Sequence, residues 1–254
     1  MNFKLQQCVG HIDEFDAIEN YNLSIGVEIQ DFATSQLLDE GWELRVEKYK
    51  EKISGFKGTI SLHGAYVDLN PGSPDKKIVE VTKERYLQTV KIAKAVKASY
   101  IIFHSQINVS IKDPKVKEIK INRQLYFWKE ILEEIEQTDM VILLENFAES
   151  DFNDLLMLVE KINSPKVKVC LDLGHVLANS LLGIRQWIEG LNSYIEYIHF
   201  HWNDGSYDAH QAPIEGFIEE VSSTLKENKL EPILALEYGI ENIEEETNRV
   251  RKYL

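Results

Sequence analysis

Short apolar runs and longer mixed stretches alternate along the whole chain. Each short run is rich in β-branched and aromatic residues, and in the stretch that follows, apolar residues return at every third or fourth position. The first pattern is typical of buried strands and the second of amphipathic helices. We predict eight strands, over Lys4–Cys8, Ile25–Ile29, Thr59–His63, Tyr100–His104, Val141–Glu145, Lys168–Asp172, Tyr194–His201 and Pro232–Glu237.

The stretches between the strands predict amphipathic helices and, with them, the fold class. Eight alternations in 254 residues fit an α/β fold of the (β/α)8 TIM-barrel type in number and size. A doubly wound sheet usually has fewer strands and a glycine-rich first turn, which this sequence lacks. No linker or repeat divides the chain, so we expect a single domain over residues 1–254. The predicted helices are Lys83–Val96, Arg123–Ile135, Phe152–Ile162, Ile214–Leu225 and Ile243–Tyr253.

Composition and charge narrow the range of partners. The chain has 28 Lys and Arg against 42 Asp and Glu, a net charge of −14, which argues against broad attachment to nucleic acid or anionic lipid. No stretch approaches the roughly 18 consecutive apolar residues that span a bilayer. Cys8 and Cys170 are the only cysteines, too few for a disulfide framework or a thiolate metal module. We therefore expect a cytoplasmic protein that does not associate with membranes.

The seven histidines fall near or beyond the C-terminal ends of predicted strands, where the loops of a barrel form one mouth. Carboxylates share these positions, because Glu145, Asp172 and Glu237 end strands and Asp208 precedes His210 by two residues. Imidazole with carboxylate is the ligand mixture for zinc, manganese, cobalt or iron. We therefore expect a metal site of nitrogen and oxygen ligands. The histidines are His11, His63, His104, His175, His199, His201 and His210.

Each of these residues has a plainer interpretation when taken alone. A strand-end histidine such as His63 is more often a structural, hydrogen-bonded residue, and Glu145 or Glu237 could pair with a loop lysine. The combination changes the balance, because acids buried beside imidazoles are costly unless cations compensate them. Two divalent cations neutralise four carboxylates, and a third leaves a positive excess suited to a phosphodiester. A neutral sugar needs only one or two.

Five segments from the third to the eighth strand are distinctive. They are LHGAYVDLN (Leu62–Asn70), LLENF (Leu143–Phe147), VCLDLGH (Val169–His175), HFHWNDGSYDAHQAPIEG (His199–Gly216) and LALEYG (Leu234–Gly239). Together they resemble the xylose isomerase-like TIM-barrel superfamily, which includes sugar isomerases and epimerases as well as endonuclease IV. The fourth segment is the most specific, because an H-x-N-D followed by a D-x-H does not arise from helix or strand patterning.

The likeness to endonuclease IV implies a site for three zinc ions. The loops after the first two strands, VGHIDEF and VEIQDFATSQ, do not resemble DNA-inserting loops, and the sequence Phe103–Gln106 lacks the expected glycines. The resemblance therefore implies metal binding more firmly than DNA recognition. Every ligand position of that pattern is filled, by His63, His104, Glu145, Asp172, His175, His201, Asp208, His210 and Glu237.

The sugar phosphate isomerase/epimerase branch shares the H-x-H-x-N-D-G run and the D-x-H. This resemblance implies two glutamates, here Glu145 and Glu237, that bracket the metal-bound carbonyl and hydroxyl groups of a sugar. One glutamate would remove a carbon-bound proton and either would return it, through an enediolate. Asp172 and His201 would complete the metal shell, with His175 as a further candidate.

Three other residues are candidates for substrate contacts. His11 and Glu28, at the mouths of the first two strands, could bind sugar hydroxyls. Trp202 lies beside a predicted ligand, where it could form an apolar wall against the sugar ring. It could equally pack under the next helix, and the sequence leaves both interpretations open.

Two functions follow, and we place a metal-dependent isomerase or epimerase of a sugar or sugar phosphate first. The alternative is an endonuclease IV-like zinc-dependent phosphodiesterase acting on abasic DNA. Duplex DNA requires basic and intercalating side chains, whereas the predicted rim carries Asp68, Asp75 and Asp204 and few bases. A catalytically silent metal-binding barrel is a third possibility. We expect one to three divalent ions, zinc ahead of manganese or cobalt, and leave assembly into a homo-oligomer open.

Overall fold

A computed structural model describes residues 3–254, and its strands form one closed barrel. All neighbouring strands are parallel, and the last pairs with the first. This confirms the predicted (β/α)8 architecture, and each strand end lies within one residue of its prediction. The strands are β1 (Leu5–Val9), β2 (Gly26–Ile29), β3 (Ile60–His63), β4 (Tyr100–His104), β5 (Val141–Glu145), β6 (Val167–Asp172), β7 (Ile195–Phe200) and β8 (Ile233–Leu236).

Helices surround the barrel, and several of them lie outside the five predicted ranges. Short 3-10 helices at Ile12–Glu14, Asp31–Ala33 and Asn192–Tyr194 complete the connections. The α-helices are α1 (Ala17–Asn22), α2 (Ser35–Asp39), α3 (Trp42–Lys52), α4 (Lys76–Val96), α5 (Pro114–Ile135), α6 (Asn153–Ile162), α7 (Leu173–Asn179), α8 (Ile184–Leu191), α9 (Glu215–Glu227) and α10 (Ile243–Tyr253). Within residues 3–254, none of these helices has the length and apolar composition needed to cross a bilayer.

The core has two layers, because the strands are buried on both faces. Apolar side chains fill the space between the strands and the helices, and a smaller apolar cluster lies inside the barrel. Polar groups replace apolar ones at one level of the interior. There the Oε1 of Gln6 accepts hydrogen bonds from Ser61 Oγ at 2.9 Å and from Tyr197 OH at 2.7 Å. The barrel is therefore a filled scaffold that positions its strand ends rigidly.

Three long connections follow β3, β4 and β7 and lie at the carboxyl ends of the strands. They span residues 64–75, 105–113 and 201–214. In a barrel of this type, the loops at this end carry the chemistry. The strand ends and these loops together form the walls of the site.

Candidate metal centre

The nine side chains predicted to bind metal come together in one bowl at the carboxyl end of the barrel. Four are the final residues of the strands β3, β4, β5 and β6. One lies in the first turn of α7, and the other four follow β7 or β8. Seven are buried, whereas the side chains of Asp208 and His210 are 27% and 41% exposed. The nine are His63, His104, Glu145, Asp172, His175, His201, Asp208, His210 and Glu237.

The first group consists of His63, His104 and Glu145, whose ligand atoms lie within 4.8 Å of one another. The Nε2 atoms of His63 and His104 lie 3.2 and 3.5 Å from the same oxygen, Glu145 Oε2. The ring of Tyr66 stacks on His104 with the centroids 4.3 Å apart, and Phe147 stacks on it at 5.2 Å. Two aromatic side chains thus shield this group from bulk water.

The second group centres on His201, directly after β7. Its Nε2 lies 3.1 Å from Asp172 Oδ1 and 3.6 Å from Glu237 Oε2. Gly174 provides the space for the ring, because a Cβ there would lie 1.9 Å from His201 Cε1. A larger residue would displace this imidazole.

The third group consists of His175, Asp208 and His210. The Oδ2 of Asp208 lies 3.3 Å from His175 Nε2 and 2.8 Å from His210 Nε2. The rings of His210 and His201 stack with their centroids 4.1 Å apart, which joins this group to the second. His210 has a φ of +44°, a left-handed conformation that is uncommon outside glycine. The loop therefore holds His210 in place at a conformational cost.

Backbone carbonyls fix which ring nitrogen of three histidines faces the bowl. The Nδ1 of His63 lies 2.9 Å from Gly64 O, that of His175 lies 2.8 Å from Asn146 O, and that of His210 lies 3.0 Å from Glu237 O. A carbonyl only accepts hydrogen bonds, so each Nδ1 carries the proton that it donates. Each Nε2 is then the atom available to a cation, which is the usual arrangement around metal-binding histidines.

The electrostatics of the bowl are those of acids paired with imidazoles. Burial alone would raise the pKa of Glu145, but His104 and His199 hold it well below its usual range. Burial lowers the pKa of His175, but Asp172 and Asp208 outweigh this effect and raise it to about 10. The carboxylates thus favour positive charge on His175, whereas burial lowers the pKa of His104 to about 4 and favours its neutral form.

Three unpartnered atoms test whether the residues fit bound cations. Within the described part of the chain, His201 Nδ1, Asp208 Oδ1 and Glu237 Oε2 are buried and have no hydrogen-bond partner. Leaving a buried polar atom unpaired costs about 1–3 kcal/mol, so this concentration of unpaired atoms indicates that a ligand completes the site. The donors are nitrogen and oxygen, which fits zinc, manganese or cobalt. The individual ligand roles stay a prediction.

His199 belongs to the site but was missing from the predicted ligand set. It is fully buried, and its Nδ1 lies 3.1 Å from Glu145 Oε1 and 3.2 Å from Glu237 Oε2. Its Nε2 lies 3.0 Å from Glu28 Oε2. A sequence signal was present, because His199 and His201 are two residues apart and such side chains share a strand face.

The three residues predicted to contact substrate are not among those that line the cavity above the bowl. Glu28 is fully buried below the bowl, where its carboxylate accepts from Tyr197 OH at 2.7 Å. The Nδ1 of His11 caps a 3-10 helix by accepting from Asp13 N at 3.3 Å. Trp202 is partly buried and packs against the hydrophobic core. Their substrate contacts stay a prediction that the lining of the cavity does not support.

Two amide side chains that the sequence analysis missed position the carboxylates. The Asn146 amide accepts from Asp172 N at 2.8 Å and donates to Asp172 O at 3.0 Å, which ties the end of β5 to that of β6. The Nε2 of Gln30 donates to Glu237 Oε1 at 2.7 Å. Asn146 directly follows Glu145 in the segment LLENF, but nothing in that segment reveals its partner on the next strand.

A cavity of about 330 Å³ opens above the bowl and gives a ligand access to it. Side chains of all three groups line it, together with Tyr66 and Phe147. Among the described residues that line this cavity, there is no lysine or arginine. Its volume lies near the lower end of the range for small-molecule sites, about 300–1,000 Å³. The cavity therefore suits a small molecule that has no need of basic side chains.

Comparisons with solved structures match the whole barrel. The TTHB071 protein of Thermus thermophilus, soaked with ZnCl2, has a TM-score of 0.77 and 19% identity, covering 100% of this chain and 98% of that chain. A D-tagatose 3-epimerase-like protein has a TM-score of 0.75 and 20% identity, covering 98% and 94%. At these identities, the likeness shows the fold.

Comparisons of sequence give a family and two curated relatives. The family model described as xylose isomerase-like TIM barrel matches residues 15–253. An uncharacterized protein of Methanocaldococcus jannaschii is 27% identical over 191 residues, 70% of this chain and 64% of that protein. A probable endonuclease 4 of Mesomycoplasma hyopneumoniae is 25% identical over 123 residues, 46% of this chain and 41% of that protein. The chain thus matches less than two thirds of the length of these relatives.

Proposed function

The chain belongs to the xylose isomerase-like TIM barrel family, and from that premise we propose that it is a metal-dependent isomerase or epimerase of a small sugar. The observation that carries this proposal is the convergence of two glutamates from different strands. Glu145 and Glu237 approach the same atom, His199 Nδ1, at 3.1 and 3.2 Å, and both line the cavity. Two groups placed in this way can share the removal and the return of a carbon-bound proton.

Glu145, Asp172, His201 and Glu237 would hold the catalytic cation. A divalent cation bound there would polarise the carbonyl of an α-hydroxycarbonyl sugar and acidify the neighbouring carbon-bound proton. The buried Oε2 of Glu237 accepts no hydrogen bond within residues 3–254 and lies 3.6 Å from His201 Nε2, which supports this assignment.

The two glutamates differ in a way that suggests their roles. Burial raises the pKa of Glu237, and Gln30 holds its carboxyl group in place by donating a hydrogen bond to Oε1. Glu145 is held in its charged form by His104 and His199, in spite of burial. We therefore assign Glu145 as the base and Glu237 as the acid. Tyr66 and Phe147 would limit access of water during the transfer.

The lining of the cavity favours a neutral sugar over a phosphorylated one. Recognition of a phosphate usually relies on arginine or lysine, and none lines the described cavity. Tyr66 and Phe147 offer apolar ring surface of the kind that packs against a sugar. The similar solved structure described as D-tagatose 3-epimerase-like agrees with this substrate class.

Phosphodiester hydrolysis is the second candidate, and one specific observation favours it. The chemistry of a single cation needs only the second group and Glu145, yet five further side chains complete two more groups. A cluster of cations suits attack on phosphorus, and a probable endonuclease 4 is among the curated relatives. The five are His63, His104, His175, Asp208 and His210.

Exchange of carbon-bound hydrogen with solvent tests the first candidate. The protein is incubated with D-fructose or D-tagatose in deuterium oxide with zinc, manganese or cobalt, and deuterium incorporation is followed by NMR. We expect metal-dependent exchange that falls about 10²- to 10⁴-fold in Glu145→Gln and Glu237→Gln, since each removes a proton-transfer group. Glu241→Gln, on the exposed loop after β8, is the matched control and should exchange at the wild-type rate.

Cleavage of an oligonucleotide with one abasic site, measured under the same metal conditions, separates the two candidates. Metal-dependent cleavage without sugar exchange would replace the first proposal with the second. Exchange that survives in both glutamate variants would contradict the assigned roles.

A further inference from the structure

A second cavity adjoins the first at the mouth of the barrel. It has a volume of about 410 Å³ and lies between the loops after β1 and β8. Four residues line both cavities, namely Gly10, Gln30, His210 and Glu237. The proposed acid, Glu237, therefore lies on their common boundary, so a molecule reacting in the first cavity can extend directly into the second.

From this arrangement we infer that the substrate has two units: the reacting sugar in the first cavity and a glycosidically linked second sugar in the second. This inference rests on the proposed function and adds a substrate class to it. One monosaccharide suits the first cavity alone, and the adjoining space would then stay solvent-filled on one side of the proposed acid. A second ring would fill that space and exclude water from Glu237.

The lining of the second cavity matches a neutral, hydroxyl-rich unit. Its polar side chains include the amides of Gln7 and Gln30 and the carboxylate of Glu14, and no lysine or arginine of the described chain lines it. Gln7 is 8% exposed, and its Nε2 donates to the backbone oxygen of Glu14 at 3.3 Å, which holds the amide in place. Tyr238 adds a ring to the same lining. Amide and carboxylate side chains accept hydrogen bonds from hydroxyl groups, whereas a phosphate offers no suitable donor and would meet Glu14.

Gly239 gives a direct way to close the second cavity. It lines that cavity but not the first, and a Cβ built on it would meet no atom within 4 Å. Gly239→Ala and Gly239→Leu should therefore fold normally while filling the second cavity by increasing amounts. Gly216→Leu, on α9, is the matched control, because its Cβ also meets no atom within 4 Å.

Binding by the zinc-loaded protein is measured by calorimetry with D-fructose and with two glucosyl-fructoses, maltulose and palatinose. We expect at least one disaccharide to bind about tenfold more tightly than D-fructose. This gain in affinity over D-fructose should be smaller in Gly239→Ala and absent in Gly239→Leu, whereas Gly216→Leu should retain it. Thermal unfolding checks that each variant is folded.

Two results would overturn the two-unit substrate: both disaccharides binding no better than D-fructose to the wild-type protein, or Gly239→Leu lowering the affinity for D-fructose as much as for the disaccharides. Deuterium exchange on the same sugars reports separately on the proposed reaction. Tight disaccharide binding without exchange would support a sugar site in the second cavity and contradict the proposed isomerase function. Exchange on D-fructose without preferential disaccharide binding would support the isomerase and contradict the two-unit substrate.

Discussion

Gly174 is the residue on which the position of His201 depends most directly. It lies in α7, where alanine would ordinarily be preferred over glycine by about 1 kcal/mol. A Cβ at this position would lie 1.9 Å from His201 Cε1 and 2.4 Å from Nδ1. No rotation of the new methyl group relieves such a contact, so the imidazole would have to move. The glycine therefore serves the site at the expense of its helix.

Gly174→Ala should weaken metal binding although it improves helix propensity. We expect zinc affinity to fall at least about tenfold, as when supporting residues around metal ligands are changed, measured by competition with a chromogenic chelator. Gly216→Ala, where the Cβ meets open space, is the control and should bind zinc like the wild type. Unchanged zinc affinity in Gly174→Ala would show that His201 is not a ligand.

The sequence was sufficient to predict the residues of the bowl wherever strand position alone decides where a side chain lies. Glu145 and Asp172 are the last residues of β5 and β6, and barrel closure brings such ends together. Glu28 lies one residue before the end of β2, and its side chain points into the interior below the bowl, where it contacts Tyr197. The conformation of a loop or a cap decides the position of His11 and of Trp202, and neither conformation follows from residue type.

At the scale of elements, the strands were easier to predict than the helices. Strands buried on both faces read as continuous apolar runs, so all eight were found. In α3 only Val46 and Tyr49 are buried, and a helix with so narrow a buried face leaves little periodic signal. Helix α8 has only eight residues, and its buried face extends from Ile184 to Leu191. That periodic signal was present but short.

Helix α5 begins nine residues before its predicted start at Arg123, and its cap explains the difference. Asp113 Oδ1 accepts a hydrogen bond from Lys115 N at 2.9 Å, and Pro114 occupies the first helical position. Both residues are favoured at helix starts. The first turns of α5 carry so few buried side chains that periodicity alone does not reveal them.

Asp113→Ala should lower the free energy of unfolding by about 0.5–2 kcal/mol, because the first turn of α5 loses its side-chain cap. Urea denaturation followed by circular dichroism measures the change. Asp139→Ala, at an exposed position, removes the same charge and should change stability by less than about 0.5 kcal/mol. Equal effects in the two variants would indicate that net charge, rather than capping, determines the result.

For the whole molecule, bound cations should contribute to the stability of the barrel. The strands β3 to β8 all deliver side chains to the bowl, so a cation bound there connects most of the barrel. A ligand at a thousand times its dissociation constant stabilises the folded state by about 4 kcal/mol. For a chain of this size, that corresponds to a rise in melting temperature of about 10 °C.

Removal of metal with a chelator should therefore lower the melting temperature by about that amount, and added zinc should restore it.

Elemental analysis of the reloaded protein should give up to three zinc ions per chain, one for each group of side chains. Asp208→Asn should lower the count by one because Asp208 is the carboxylate of the third group, whereas Asp139→Asn should leave it unchanged. A reloaded wild-type protein with a single ion would limit the metal centre to the second group.

Charge balance across the whole bowl also predicts that metal binding depends on pH. A hydrogen bond with Asp208 raises the pKa of His210 to about 9, and Asp172 and Asp208 raise that of His175 to about 10 in spite of burial. Both imidazoles are thus protonated at pH 7 before a cation binds, and each must lose its Nε2 proton to become a ligand.

Filling the third group with zinc should release about two protons at pH 7, and zinc affinity there should rise with pH until it levels off near these pKa values. Calorimetry in two buffers of different ionisation enthalpy counts the released protons, and Asp208→Asn, which removes the partner that both histidines share, should release fewer. Zinc binding without proton release would mean that the third group stays protonated and that the cations lie only in the other two.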